Sequence, residues 1–544
     1  MSTDDESFHP LGSEWEGELE EMLDETEYDN ELGMEMAKDA MRVTKGELSE
    51  ADFHEKYHDD VMEEFGEDQR PTEEAYEEAK AAEEGTVSRM LSTFDGDGED
   101  SRRDAMKKMG AGAAAVGLGA WGTADDGRSA PNVAAQEEED DGDDGVQWGM
   151  AIDLERCDGC LSCVSACGSE NNIDQGVNWM YVLEFEDGQT DTSETNRLVR
   201  PCQHCTDAPC EKVCPTTARH TRDKDGLVLT DYDVCIGCRY CQVACPYGVN
   251  YFQWDEPDIS TDEVAAHAED MGMEGDHMHD ERDRWVDSRA PRGVMSKCTM
   301  CPTRQDGDRG EDFVGTTACE EACPPDAIQF GDMNDSGSDP QRYADNPSRG
   351  RTLAQLSIPS ASSLESDLEG EDVDLETVYE ETFFDEESLS LTKAVEITGE
   401  DLGDGDGDLA AYESDVQEAL DALADLGIDH DSEEVLVELG LADETDDDEE
   451  FEGPDEDDAQ LLLESFAGRP ESNFRLLEDM GTNPNIVYLG NEPGPNAEQR
   501  EPTGTGQEYA DVSYERADGS EPDLVDNRKE VLDEGTVGDA GVSL

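Results

Sequence analysis

Asp-Val-Cys-Ile-Gly-Cys-Arg-Tyr-Cys-Gln-Val-Ala-Cys-Pro, residues 233–246, carries Cys235, Cys238, Cys241 and Cys245 at the spacing C-x2-C-x2-C-x3-C-P. This is the bacterial ferredoxin run, in which three thiolates bind one cuboidal 4Fe-4S cluster and the fourth reaches a neighbouring one. Working outward, Cys157, Cys160, Cys163 and Cys167 repeat the spacing of the cysteines. Cys202, Cys205, Cys210 and Cys214 widen one gap to four residues, and Cys298, Cys301, Cys319 and Cys323 open one of seventeen, yet both groups keep the closing C-x3-C-P. All sixteen cysteines of the 544 residues fall in these four groups, so the arithmetic predicts four 4Fe-4S clusters. Structural zinc also uses C-x2-C pairs, but as two separated pairs rather than triplets with this ending. Disulfides suit an exported chain, although near-neighbour cysteines make a poor staple framework. Iron-sulfur is the reading the spacing favours.

The composition bounds everything around the cysteines. Hydrophobic residues are 35% and aromatics 6%, lean for this length, so much of the chain is solvated periphery. The net charge of -106, from 143 acidic and 37 basic side chains, excludes nonspecific binding to nucleic acid or to an anionic membrane by charge alone. Such acidity fits either wholesale disorder or adaptation to high salt, where a Debye length of about 3 Å at 1 M lets carboxylates hydrate a folded surface. Acid spread along nearly the whole chain, with Lys scarce, favours the salt reading. Between Gln203 and Asp233 the two signs nearly balance, so the cysteine region is spared.

Six segments follow. Residues 1–92 form an acidic helical module, with Met34, Met36, Met41 and Val43 on one helix. Ser49 and Asp52 resemble a capping box opening another helix through Phe53, Tyr57, Val61 and Phe65. Residues 93–146 hold Arg102-Arg103, the uncharged Gly/Ala-rich run Met109 to Trp121, a small-residue site at Val133-Ala134-Ala135 and an acidic linker, together a twin-arginine-like export segment. Ala105 stands where that motif usually has a bulky aromatic, and the pair lies about a hundred residues into the chain. Residues 147–351 are the four-cluster domain. Its strands are expected at Trp148–Leu154, Trp179–Phe185 and Gly226–Thr230, with Asp225-Gly226 as a hairpin turn and short helices after the third and fourth cysteines. Residues 352–470 read as an acidic surface insertion with helices around Leu420–Leu439 and Leu461–Leu463 and disorder at Asp404–Asp408 and Asp446–Asp458. Residues 471–490 close the domain with a helix and a strand, and 491–544 are a disordered acidic tail. The fold class is α+β: tandem bacterial-ferredoxin-like modules binding four clusters, with acidic helical or disordered extensions.

In Trp148–Asn172, Arg200–Thr217, Asp233–Phe252, Lys297–Pro302 and Ala318–Asn334 the sequence resembles the four-cluster iron-sulfur subunits of membrane-associated molybdopterin oxidoreductases, the polysulfide, tetrathionate and dimethyl sulfoxide reductase group. The resemblance spans about two hundred residues and resumes at Phe474–Leu489. It implies nested cluster pairs, with Cys157, Cys160, Cys163 and Cys323 on one cluster and Cys298, Cys301, Cys319 and Cys167 on its neighbour. Cys202, Cys205, Cys210 and Cys245 would share a third, and Cys235, Cys238, Cys241 and Cys214 a fourth. It further implies a molybdenum or tungsten pterin catalytic subunit and a polytopic quinone-reactive membrane anchor as partners. The chain itself would be a non-catalytic relay of single electrons at the extracytoplasmic face of the membrane, exported folded. A stand-alone polyferredoxin or cluster-carrying scaffold, or a cytoplasmic location, is the alternative.

No nucleophile with its base, phosphate loop or flavin site is legible. His277 and His279 are expected to be exposed in an acidic loop. His204, between two cysteines, is expected to donate a hydrogen bond near a sulfur. Tyr247, Tyr251, Phe252 and Trp254 are expected to pack over a cluster and limit solvent.

Overall fold

The computed structural model describes residues 12–70 and 145–499, apart from 25, 27, 67, 69, 175–176, 188–195, 255, 369–372, 400–401, 404, 406, 444–450, 452 and 494–496. The paired arginines, the run to Trp121 and the tail from residue 500 lie outside the described residues, as does much of Asp446–Asp458.

Three helices come first: α1 (Gly12–Asp24), α2 (Asn30–Thr44) and α3 (Glu50–Phe65). The Asp52 N–H donates to Ser49 Oγ (3.1 Å) to start α3, and Gly66, at φ +78°, ends it. Met36, Ala37, Ala40 and Met41 on α2 and Phe53, Tyr57 and Val61 on α3 are buried, and they join the same apolar core as the cysteine region. Contact is close enough that a Cβ at Gly33 would lie 2.6 Å from the Tyr240 ring. The Tyr28 hydroxyl donates to the Ile236 carbonyl (3.3 Å) and Thr44 to the Met480 carbonyl (2.8 Å). The module therefore sits on the third cysteine loop rather than apart from it.

The cysteine region is built on strands β1 (Trp148–Asp153), β2 (Tyr181–Asp187), β3 (Asn196–Arg200), β4 (Arg219–Thr221), β5 (Val228–Thr230), β6 (Tyr251–Phe252), β7 (Met295–Ser296) and β8 (Ile328–Asp332). To these the chain adds β9 (Asn473–Phe474), β10 (Ile486–Leu489) and β11 (Ala497–Gln499) from its far end. The main sheet runs β8-β1-β10-β9, with β1 antiparallel to β8 and parallel to β10, Met150 opposite Phe330 on one side and Ile486 on the other. From Gly149 on, β1 is buried on both faces, as a central strand must be. The β4–β5 hairpin turns through Asp225-Gly226, where Gly226 takes φ +69° and a Cβ would strike the Gln147 side chain at 2.1 Å.

Two expectations change here. The closing helix is only a 3-10 turn, Glu478–Met480, between β9 and β10. The tail is not wholly unstructured, since β11 pairs with β2, Ala497 opposite Asp187. Free edges attract a further strand because their N–H and C=O groups need partners.

The helices of this region are α4 (Ser162–Glu170), α5 (Pro209–Lys212), α6 (Tyr240–Val243), α7 (Thr261–Asp270), α8 (Pro302–Gln305) and α9 (Ala318–Glu321). In all four cysteine groups a helix begins one residue before the third cysteine, at Ser162, Pro209, Tyr240 and Ala318, not after it. That cysteine thus lies in a first turn, where backbone N–H groups have no intrahelical acceptor.

Next come α10 (Asp339–Asp345), α11 (Pro347–Leu353), α12 (Ala361–Asp367), α13 (Leu375–Glu381), α14 (Glu386–Ile397), α15 (Asp408–Asp425), α16 (Glu433–Glu438) and α17 (Glu456–Ala467). Over its described residues the expected partly disordered insertion is a helical unit with its own core, in which Leu364, Val378, Phe384, Leu389, Val395, Val416, Leu420, Leu423, Leu436 and Leu463 are buried. Acidic residues occupy the outward positions and the caps, such as Asp374, Asp385 and Asp455. Their number hides the apolar period in the sequence without abolishing it.

Two polar joints hold these helices, one to the sheet and one between helices. Arg351 donates through Nε (2.6 Å) and Nη2 (2.8 Å) to the fully buried carboxylate of Asp153 at the end of β1, which also accepts from the Tyr343 hydroxyl (2.9 Å). Asp339 accepts the Leu409 N–H (3.2 Å) at the start of α15, and Gly407 leaves room for it, since a Cβ there would lie 2.2 Å from the carboxylate. Burial, aided by the nearby charge of Asp408, pushes the Asp339 carboxyl up to about 6. The folded state thus holds this proton more tightly than the unfolded one, and stability falls as pH rises from about 4 to about 6. Asp339→Asn is expected to flatten that slope, worth on the order of 2–3 kcal/mol, in urea unfolding measured across the same pH range.

Candidate metal centres

Each cysteine group wraps its loop in the same way. The residue before the second cysteine is left-handed every time: Gly159 (φ 73°), His204 (42°), Gly237 (70°) and Met300 (57°). Glycine adopts this without strain, whereas His204 and Met300 are held in it by their surroundings. At Gly237 a side chain is excluded on a second ground, because a Cβ would lie 2.2 Å from the Gly293 carbonyl oxygen.

The sixteen thiols, none in a disulfide, gather into four sets. Cys202, Cys205, Cys210 and Cys245 line one cavity. Cys214, Cys235, Cys238 and Cys241 line a second, and Cys167, Cys298, Cys301 and Cys319 a third. Four thiols facing one small cavity, three times over, fit one kind of occupant. In the fourth set Cys157, Cys160 and Cys323 surround the buried Cys163, whose thiol is pushed well up by burial and then by Cys157, Cys319, Cys323 and Cys160. In every set one cysteine comes from a different group from the other three.

The donor chemistry fits an iron-sulfur cluster. Burial, then Cys202, Cys210 and Cys245, holds the Cys205 thiol well above its usual range, and burial, then Cys214 and Cys241, does the same to Cys238. Four thiolates so placed repel one another unless a cationic centre binds them, and a bound metal keeps its thiols deprotonated. Donors stand ready for the sulfurs: Ala327 N–H to Cys323 (3.3 Å), Asn171 Nδ2 to Cys167 (3.5 Å) and Arg219 N–H to Cys214 (3.3 Å).

Neighbouring sets act on one another electrostatically: Cys319 on Cys163, Cys202 on Cys298 and Cys241 on Cys210, which links the Cys157, Cys298, Cys202 and Cys235 sets in that order. All four cysteines of the Cys202 set are buried. Three of the Cys157 set and two of the Cys235 set, Cys214 and Cys235, are half-buried, so the outer sets are the more open.

The remaining candidates part from expectation. His204 does not meet a sulfur: its Nδ1 accepts from the Val228 N–H (3.1 Å), so its Nε2 donates to the carbonyl of Cys298 (2.9 Å). Burial, with the Lys297 charge, keeps it neutral, and it links two adjacent sets through the backbone. His277 is buried, not exposed, 3.7 Å from Asp287, while His279 pairs with Asp276 (2.7 Å). Tyr247 lines the Cys202 cavity as expected. Phe252 and Trp254 instead flank the Arg239 guanidinium at 4.1 and 4.0 Å, with Trp254 half exposed, an arrangement that cation–π attraction favours over covering a sulfur. Glu396, His430 and Asp431 also converge, but the Lys393 ammonium bonds to all three.

Sequence reasoning missed the buried cations Arg200, Arg219 and Lys297 beside the cysteines. Of the three, only Arg219 lies in the stretch between Gln203 and Asp233 where the charges nearly balance.

Family models match residues 9–73, as the N-terminal region of 4Fe-4S ferredoxin iron-sulfur binding, and 194–279, as a 4Fe-4S dicluster domain. A Halobacterium salinarum protein assigned as the iron-sulfur subunit of a dimethyl sulfoxide reductase is 40% identical over 211 residues, 36% of this chain and 71% of the relative. The iron-sulfur cluster-binding subunit of menaquinone reductase from Nitratidesulfovibrio vulgaris is 37% identical over 35% of this chain and 76% of its own length. The arsenate respiratory reductase iron-sulfur subunit of a Shewanella species is 35% identical over 36% and 85%. With cysteine sets built for 4Fe-4S clusters and this likeness across most of each relative, the chain belongs to the family of electron-transferring iron-sulfur subunits of molybdopterin oxidoreductases.

Proposed function

We propose that this chain relays single electrons along four 4Fe-4S clusters between a molybdenum or tungsten pterin catalytic subunit and a polytopic, quinone-reactive membrane anchor. Cys157, Cys160, Cys163 and Cys323 hold the first cluster, and Cys298, Cys301, Cys319 and Cys167 the next. Cys202, Cys205, Cys210 and Cys245 hold the third, and Cys235, Cys238, Cys241 and Cys214 the last. The observation that carries this reading is the linked order of the four sets, in which the outer two hold five of the six half-buried cysteines, as suits a relay with a partner at each end. When bound, the clusters supply reversible one-electron chemistry. The protein's residues hold them in this order, exclude water from the middle sites and aim N–H donors at the sulfurs. Among the described residues no helix is long and apolar enough to cross a membrane, which fits attachment through a partner subunit.

We place the complex outside the cytoplasm, reached folded through Arg102 and Arg103, with residues 147–351 and 471–490 as the cluster domain. Isolation from membranes is expected to yield this chain with a large molybdenum- or tungsten-containing chain and about sixteen iron atoms per copy, four to each cluster. A soluble monomer carrying all the electron-transfer activity would overturn the partnership, and about eight iron atoms would overturn the four-cluster count. The double substitution Arg102→Lys, Arg103→Lys, followed by cell fractionation, tests export.

A further inference from the structure

In a chain with so few basic residues, several arginines are buried, and most of those are neutralised. Arg222 bonds to Asp225 and Asp306, and Arg304 to Glu170 and Glu321. Arg219, equally buried at the start of β4, has no carboxylate within 4 Å among the described residues. Its Nη2 donates to Asn250 Oδ1 (2.8 Å) and to Cys241 Sγ (3.7 Å), its backbone N–H donates to Cys214 Sγ (3.3 Å), and its Nε and Nη1 find no acceptor. It lines the Cys214, Cys235, Cys238, Cys241 cavity. A guanidinium keeps its proton inside a protein, so Arg219 is a fixed positive charge in contact with Cys214 and Cys241 and within electrostatic reach of Cys202 and Cys210 of the adjacent set.

We propose that Arg219 is the buried charge that raises the reduction potentials of the two sites it lies beside, the Cys235 and Cys202 sets. The inference rests on the ligand sets proposed above. Each electron accepted adds one negative charge, and a guanidinium in a poorly polarisable interior with no counter-charge of its own stabilises that charge. Surface carboxylates, however numerous, act through solvent and are screened by salt, whereas a buried cation is screened far less. The acidic surface therefore leaves these potentials to the interior.

The test uses the full chain and potentiometric titration followed by EPR, with dithionite as the one-electron source. Arg219→Met is expected to make reduction at the Cys235 set at least tenfold less favourable, a 59 mV fall for a one-electron couple. A smaller fall is expected at the Cys202 set and none at the other two, and the differences should persist from low to molar salt. Arg219→Lys, which keeps the charge, should recover most of the potential. Asn250→Asp, which sets a carboxylate against the same guanidinium, should lower the same two potentials. If Arg219→Met fails to load iron, the other two variants decide. Unmoved potentials in an iron-replete variant, an equal fall at all four sites, or a fall in Arg219→Lys as large as in Arg219→Met would overturn the proposal. Failure of the cluster assignment itself shows differently, as wild-type protein lacking four distinct reducible centres.

Discussion

Cys245→Ser is expected to abolish the EPR signal of the cluster held with Cys202, Cys205 and Cys210, and to leave that of the cluster on Cys235, Cys238 and Cys241. The ferredoxin run sends its fourth cysteine to a neighbouring cluster, and the resemblance implied this exchange for Cys245 and Cys214. The cavities support it: Cys245 lines the cavity of the Cys202 set, and Cys214, thirty-one residues earlier, lines the other. Iron should fall from about sixteen to about twelve atoms per chain. Taking all the iron out with a chelator under reducing conditions should go further and unfold the cysteine region, because cavities lined by four thiols have no apolar filling of their own. Metal binding of this kind supplies on the order of 10 kcal/mol of folding free energy. The helical unit's core contains no cysteine, so far-UV circular dichroism should retain a helical signal after the iron absorbance is gone.

The second large effect is at Asp153. Its carboxylate is buried, accepts two bonds from Arg351 and one from Tyr343, and also accepts the Glu155 and Arg156 N–H groups (3.1 and 3.2 Å) that turn the chain toward the first cysteine. Its carbonyl takes the Cys157 N–H (3.1 Å). Asp153→Ala leaves a buried guanidinium and a phenol facing an empty place, and removing one member of a buried ion pair typically costs about 3–5 kcal/mol. Denaturant unfolding should show that loss. Because the same residue shapes the Cys157 loop, the variant should also load the Cys157 cluster poorly, seen as iron content and as loss of one EPR component. Full stability with full iron would show that the joint is dispensable.

Much of the site was legible because cluster ligation is a local constraint. A cuboidal cluster demands thiolates at short separations, and that demand is written as an opening C-x2-C and a closing C-x3-C in every group, even where the gap between them widens. Gly159 and Gly237 hinted at the left-handed turn before the second cysteine, but His204 and Met300 adopt the same turn without announcing it. The helical unit was harder to read. Its apolar positions are correctly spaced, yet the acid between them mimics the composition of a disordered segment, and only packing of Leu389, Val416, Leu420 and Leu463 against one another separates the two cases. The first helices read correctly as helices. Their seat on Tyr240 and Ile236 depended on a contact between residues some two hundred positions apart.

By itself the sequence determined the number of thiols, their grouping, the kind of cluster they suit and the family, all properties of residues near one another in the chain. Only the tertiary structure decided the order of the sets, the openness of the outer sets, the folding of the acidic helical unit and the placement of Arg219 away from the carboxylates that neutralise Arg222 and Arg304. Those depend on which distant segments meet in a low-dielectric interior, and no local period or composition records that.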